Sequence, residues 1–306
     1  MSSSPHSHQT VRDLAWAINS PPLVTSFRGE DALFLESDEQ REMSEDLELL
    51  LAQLERDPSP LTSFLQQKGP ITRLGRYFEA LFEFWLTHSE RYRLLYSGLQ
   101  VRTQKKTVGE FDILVRDQEA GETLHWELAV KYYLYSGNAL TPSDWIGPNP
   151  RDRFEDKLRH LCQHQSKLSE SFAGKRRLEK LGIEVNRRLV ILKGYLFRPE
   201  TGAASLEGCE ENPEHLRGWW RTRSVFLASE ELARGDYCWS IAPRLRWMSL
   251  YDRVNTEDSY SGDEIRVQID AELERYRVPL MVIQREDSSE VSRGIVCPDD
   301  WPSGKR

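Results

Sequence analysis

Four charged residues on two short segments could do chemistry together. In GEFDILV (residues 109–115), Glu110 and Asp112 fall on one face of a strand-like alternation; in HWELAVK (residues 125–131), Glu127 and Lys131 do the same. If the two segments pair, the acids and the lysine converge on one side of a sheet. Grouped carboxylates suit a hard cation such as magnesium, with manganese as its substitute, which takes a few carboxylates plus water and phosphate oxygens. A neighbouring lysine can orient a water and offset charge developing on a phosphate. The plainer reading of the same charges is a solvated strand face.

The elements around these residues follow from periodicity. Residues 111–116 and 124–134 alternate, with Leu124, Trp126, Leu128 and Val130 opposite His125, Glu127, Ala129 and Lys131, and Gly121 lies in the turn between. An antiparallel hairpin is the simplest arrangement. Upstream, Leu74, Tyr77, Phe78, Leu81, Phe82 and Trp85 predict a helix over 72–87. Downstream, Phe154, Leu158, Leu161, Gln165, Leu168 and Phe172 predict one continuous helix over 152–172, with a glutamine in its apolar stripe. Residues 188–197 read as a buried strand. Residues 11–57 read as mostly helical, 216–222 and 229–234 as helix, 237–248 as strand-like, 263–276 as helix and 278–284 as strand. The last twenty residues read as irregular. The expected fold class is α/β: a mixed sheet flanked by helices. The expected division is a disordered tail (1–10), an N-terminal helical extension (11–65), a core (66–197) and a C-terminal α+β extension packed on it (198–306).

Composition bounds the partners. The 306 residues carry 41 Lys plus Arg against 49 Asp plus Glu, a formal charge of −8, which argues against a surface coated in basic charge but leaves room for a local basic groove. With 39% apolar residues and nine Trp, the chain can build a core. No apolar run is long enough for a membrane span, and MSSSPHSHQT lacks the features of a secretory signal, so a cytoplasmic location is expected. Cys162, Cys209, Cys238 and Cys297 lie far apart in sequence, without zinc-site spacing.

The hairpin resembles the PD-(D/E)XK nuclease superfamily. GEFD is similar to the form of its first motif that ends on an aspartate, and HWELAVK to its second; LGRYFEALF (residues 74–82) is similar to its first helix. The resemblance covers residues 70–197. It implies a restriction-endonuclease-like fold, with Asp112, Glu127 and Glu79 as metal ligands, Lys131 positioning the attacking water and Gln165 supporting the site. Arg102, Lys105 and Lys106 are candidates for phosphate contact, or a solvated hairpin end. The longer pattern VRDLAWAINSPPLV, LGRYFE, GEFD, HWELAVKYYL and PRLRWMSL looks like a proteobacterial family described as a domain of unknown function (number 1853).

One position departs from the nuclease pattern. The usual acid stands two residues before the lysine, where this chain has Ala129; its acid is Glu127, four residues before Lys131. On a regular strand those two Cβ atoms are roughly 13 Å apart. Three resolutions stay open: a β-bulge shortens the gap, the lysine role has moved to Lys157 or Lys193, or catalysis has been lost. The expected function is metal-dependent phosphodiester hydrolysis on nucleic acid; the alternative is an inactive member of the same fold serving as a binding or scaffold module. Trp219, Trp220, Tyr237, Trp239 and Trp247 are base-stacking candidates or core, and His160 with His164 hints at a metal but lacks a third ligand.

Overall fold

The computed structural model describes residues 6–27, 29–104, 106–137, 141–199, 209–250, 259–286 and 289–303. Lys105 lies outside them. In chain order the elements are α1 (Gln9–Asn19), β1 (Val24–Phe27), α2 (Ser37–Arg56), α3 (Ser59–Gln67), α4 (Leu74–Leu86), β2 (Tyr92–Arg102), β3 (Thr107–Asp117), β4 (Glu122–Tyr135), β5 (Trp145–Ile146), α5 (Phe154–His160), α6 (Phe172–Glu179), β6 (Arg187–Arg198), β7 (Cys209–Glu211), β8 (Leu216–Thr222), α7 (Arg223–Leu227), β9 (Cys238–Ala242), α8 (Gly262–Tyr276), β10 (Leu280–Glu286) and β11 (Ser289–Cys297).

One large open mixed sheet organises these elements in the order β2-β3-β4-β6-β8-β11-β10-β9, with β5 on the end of β4. The expected hairpin is present: β3 and β4 run antiparallel from Asp117↔Glu122 to Ile113↔Trp126, turning through Gly121 at φ 66°. β4 then pairs in parallel with β6, and the parallel run continues through β8 to β11. The sheet is therefore continuous across residue 198, and the C-terminal strands lengthen it edge to edge.

Each face of β4 buries a different set of side chains. Trp126, Leu128, Val130 and Tyr132 join Ile113, Val115 and Ile191 in a core closed by α1, α2 and α4. On α4, Phe82 and Trp85 place their rings 6.5 and 6.1 Å from that of Trp126. The opposite face presents Ala129 and Tyr133 to Phe154, Leu158 and Leu161 of the α5 region. No helix of the described residues is long and apolar enough to cross a membrane.

Four expectations are corrected. Residues 216–222 form strand β8 in place of the expected helix; Trp219 and Trp220 pack into different cores, the period-two signature of a strand. The C-terminal residues contribute β11, paired with β10 from Leu280↔Val296. Within the expected tail, residues 6–10 are ordered by contact: α1 begins at Gln9, and the Ser7 N–H donates to Glu55 at 2.9 Å. The single helix over 152–172 is broken into α5, a five-residue π turn (Leu161–Gln165), a 3-10 turn (Leu168–Glu170) and α6. That break turns Phe172 out of the stripe, leaving it 83% exposed.

Candidate active site

The site lies where β3 and β4 part. Their ladder stops at Ile113↔Trp126. One step on, the Leu128 N–H donates to the Asp112 carboxylate at 3.0 Å, a side chain taking the acceptor role a backbone carbonyl would have had. Phe111 packs with Leu114 and Leu168, away from the core that takes Ile113 and Val115, its ring 4.8 Å from that of His125.

Glu127 is the centre of a hydrogen-bond chain. Its side chain is fully buried, as is that of His125. His125 Nε2 approaches Glu127 Oε1 at 2.7 Å, and Gln165 Nε2 donates to Glu127 Oε2 at 2.9 Å. Lys157 Nζ donates to Gln165 Oε1 at 2.9 Å. An ammonium can only donate and a carboxylate only accept, so these neighbours fix which way the Gln165 amide faces.

The π turn makes this chain possible. Lys157 and Gln165 are eight residues apart. On a regular α-helix they would diverge by ~80° around the axis. The Ser166 N–H donates to Leu161 O at 2.9 Å, an i→i−5 bond that inserts one extra residue. That sets Gln165 back by one position, to within ~20° of Lys157.

Burial raises the carboxyls of the site, and the charge of Glu127 adds to the rise of Asp112. Asp112 is pushed up to about 8, first by burial and then by the charge of Glu127. Burial likewise pushes Glu127 up to about 8, against the opposing pull of its contact with Asp112, of Lys157 and of Gln165. Burial lowers His125 to about 4, which leaves it neutral. Lys157 is lowered by burial and by Lys131, while Asp112, Glu127 and Asp152 pull it back up. Glu79 is raised to about 7 by burial and then by the charge of Asp112.

The structure thus brings together Asp112, Glu127, Gln165 and Lys157. Glu79 accepts from Arg76 at 2.7 Å, and the same guanidinium nitrogen reaches Glu110 at 3.2 Å. Among the described residues, no three His, Cys, Asp or Glu side chains form a ready-made metal cage. The donor set suits magnesium nonetheless, because that ion uses one or two carboxylates and completes its shell with water and substrate phosphate.

Lys131 is bonded elsewhere. Its ammonium donates to Asp152 at 2.6 Å, and Asp152 also accepts from Tyr133 at 3.1 Å. No bulge draws Lys131 toward Glu127: β4 keeps unbroken register with β6 from Leu124↔Arg187 to Leu134↔Phe197. Lys193 lies under the N-terminal helices, donating to Ile18 O and, at 3.1 Å, to Gln40 Oε1. Lys106 is exposed in the β2–β3 turn and has no bond to the carboxylates among the described residues. His160 and His164 are exposed with rings 5.5 Å apart. Trp239 and Trp247 are core, and Trp219, Trp220 and Tyr237 pack against it.

Sequence reasoning misses His125 as a partner of Glu127. The signal is present: two residues apart on a strand, their side chains are neighbours on one face. The role of Asp152 carries no such signal, because a loop supplies it.

No curated protein and no solved structure matches the chain significantly. A family profile does, over residues 12–296, and by that match the chain belongs to the family described as Domain of unknown function (DUF1853).

Proposed function

We propose that the protein is a divalent-metal-dependent phosphodiesterase acting on nucleic acid, of the PD-(D/E)XK type on a restriction-endonuclease-like fold. The observation that carries this reading is the pairing of half-buried Asp112 with fully buried Glu127 at the parting of β3 and β4, faced by Lys157 through Gln165. Two carboxylates forced together out of water are costly, and a cation relieves that cost.

Asp112 and Glu127 would hold magnesium or manganese, which when bound supplies charge to polarise a phosphoryl oxygen and acidify water. The rest belongs to the chain. The Leu128 N–H fixes one oxygen of Asp112. His125 and Gln165 fix the two oxygens of Glu127. Lys157 brings a positive charge toward both carboxylates, and the lysine role passes to it because Lys131 is committed to Asp152. Glu79 would support the site from α4, where it pairs with Arg76.

One observation favours the inactive alternative. At the usual acid position Ala129 packs among Phe154, Leu158 and Leu161, so the standard acid–lysine pair is missing. Incubating wild-type protein and Asp112→Asn with labelled DNA and RNA, with and without magnesium or manganese, separates the readings. Cleavage by wild type alone supports the enzyme; no cleavage by either supports the binding module.

A further inference from the structure

The groove beside Glu79 holds side chains that the chemistry above does not use, Arg73 and Lys68 among them. It runs along one face of α4 and is walled by Lys68, Arg73, Arg76, Glu79, Glu83 and Ser97, with a volume of ≈ 290 Å³. Residues 73, 76, 79/80 and 83 follow the three-four spacing, so one helical face forms its floor. Three cations stand against two acids here, the reverse of the −8 of the whole chain. The charges are unequally committed. Lys68 pairs with Glu83, which also accepts from Ser97 at 2.8 Å. Arg76 uses a single guanidinium nitrogen for Glu79 and Glu110, and its side chain is 60% exposed. Arg73 is exposed and has no ion pair among the described residues. At its inner end the groove approaches the candidate active site, since Arg76, which lines it, reaches Glu110 at 3.2 Å, two residues before Asp112 on β3.

We propose that this groove binds the backbone of a single nucleic-acid strand, with Arg73 and Arg76 as its phosphate contacts. The proposal rests on the nuclease reading for its choice of anion. A guanidinium with free N–H groups matches phosphate in charge and fork geometry. The single strand follows from scale and charge. The space suits about one nucleotide, near the lower end of ordinary ligand sites. Two or three cations on an acidic protein neutralise few phosphates, which gives a shallow salt dependence of ~0.7 per phosphate and little hold on a long duplex.

The test is fluorescence anisotropy in EDTA, so that nothing is cut, with labelled single-stranded DNA, single-stranded RNA and the matching DNA duplex. Wild type should bind the strands more tightly than the duplex. Arg73→Gln should weaken strand binding by about three- to tenfold and lower the salt slope by about one phosphate contact, with an unchanged melting temperature. Arg76→Lys, which keeps the charge facing Glu79 and Glu110, should lose the fork geometry and weaken binding further in combination. Duplex preference, no strand binding by wild type at low salt, or an Arg73→Gln variant that binds like wild type would overturn the proposal. Metal-dependent cleavage with unaltered Arg73→Gln binding removes the groove and leaves the nuclease. Weakened Arg73→Gln binding without cleavage under any metal removes the nuclease and leaves the groove.

Discussion

The Asp112 carboxylate accepts the Leu128 N–H at 3.0 Å, one step past the last paired residues of β3 and β4. The contact does two things at once. It satisfies a backbone donor that the parting strands would leave bare, and it aims Asp112 at Glu127. Asp112→Asn retains an acceptor for this bond, whereas Asp112→Ala orphans the donor. Thermal melts should therefore show the alanine variant less stable than the asparagine variant by ~1–2 kcal/mol. Equal stabilities would mean that the bond does not hold the strands apart.

The same carboxyl makes stability depend on pH. Asp112 rises from an ordinary 3.8 to about 8 on folding. A raised carboxyl supports the fold fully below its unfolded-state value and withdraws that support as pH climbs through the folded value. Between pH ~4 and ~8 wild type should lose stability relative to Asp112→Asn, which has no proton to give up. The asparagine variant should gain on the order of 1–2 kcal/mol over wild type at pH ~8 compared with pH ~5, after discounting for partial hydration. A flat or inverted difference would show that burial does not raise Asp112.

Lys157 and Lys131 should separate in activity. Lys157 is linked to Glu127 through Gln165, while Lys131 is held by Asp152. Lys157→Met should lower metal-dependent cleavage by about 10²-fold or more, the scale of losing a positioned charge at a reacting centre. Lys131→Met should cost less than tenfold, on the argument that its charge acts at second hand. The reverse ranking, measured under single-turnover conditions, would restore Lys131 to the site.

Restoring the usual acid should fail. Ala129 is 7% exposed and packs against the α5 face. Ala129→Glu places a carboxylate in that apolar contact at a cost of about 2–4 kcal/mol. A lowered melting temperature without a gain in cleavage is the expected result. A stable, more active variant would show that the motif could have been kept in its usual form.

The parts of this fold that repeat are legible in the sequence. Trp126, Leu128 and Val130 face a core, so their alternation alone marks β4. The same holds for Phe78, Phe82 and Trp85 on α4. What stays hidden depends on interruption. The parting at Asp112 exchanges one ladder bond for a side-chain bond and leaves no pattern. The π turn adds one residue to a helix whose stripe then misplaces Phe172 while bringing Gln165 under Lys157. Trp219 and Trp220 read as helix because a seven-residue strand with aromatic residues on both faces shows no alternation. Strand periodicity puts Asp112 and Glu127 on one side of the hairpin and helix periodicity puts Gln165 in an apolar stripe, but the same periodicity puts Lys131 with Glu127, where the structure turns it to Asp152. Periodicity leaves Lys157 and Lys193 as equal substitutes for Lys131; the bond from Lys193 to Ile18 O removes the second.

If Asp112 and Glu127 hold a divalent metal for phosphodiester hydrolysis, cleavage must depend on both the metal and the Asp112 carboxylate. The most direct measurement is cleavage of a labelled single-stranded oligonucleotide across a magnesium and a manganese titration, with Asp112→Asn as the paired control. Wild type should give saturable, metal-dependent product, and Asp112→Asn should lose at least about 10²-fold with its fold intact. Equal cleavage by the two proteins, or none by wild type at any metal concentration, would contradict it.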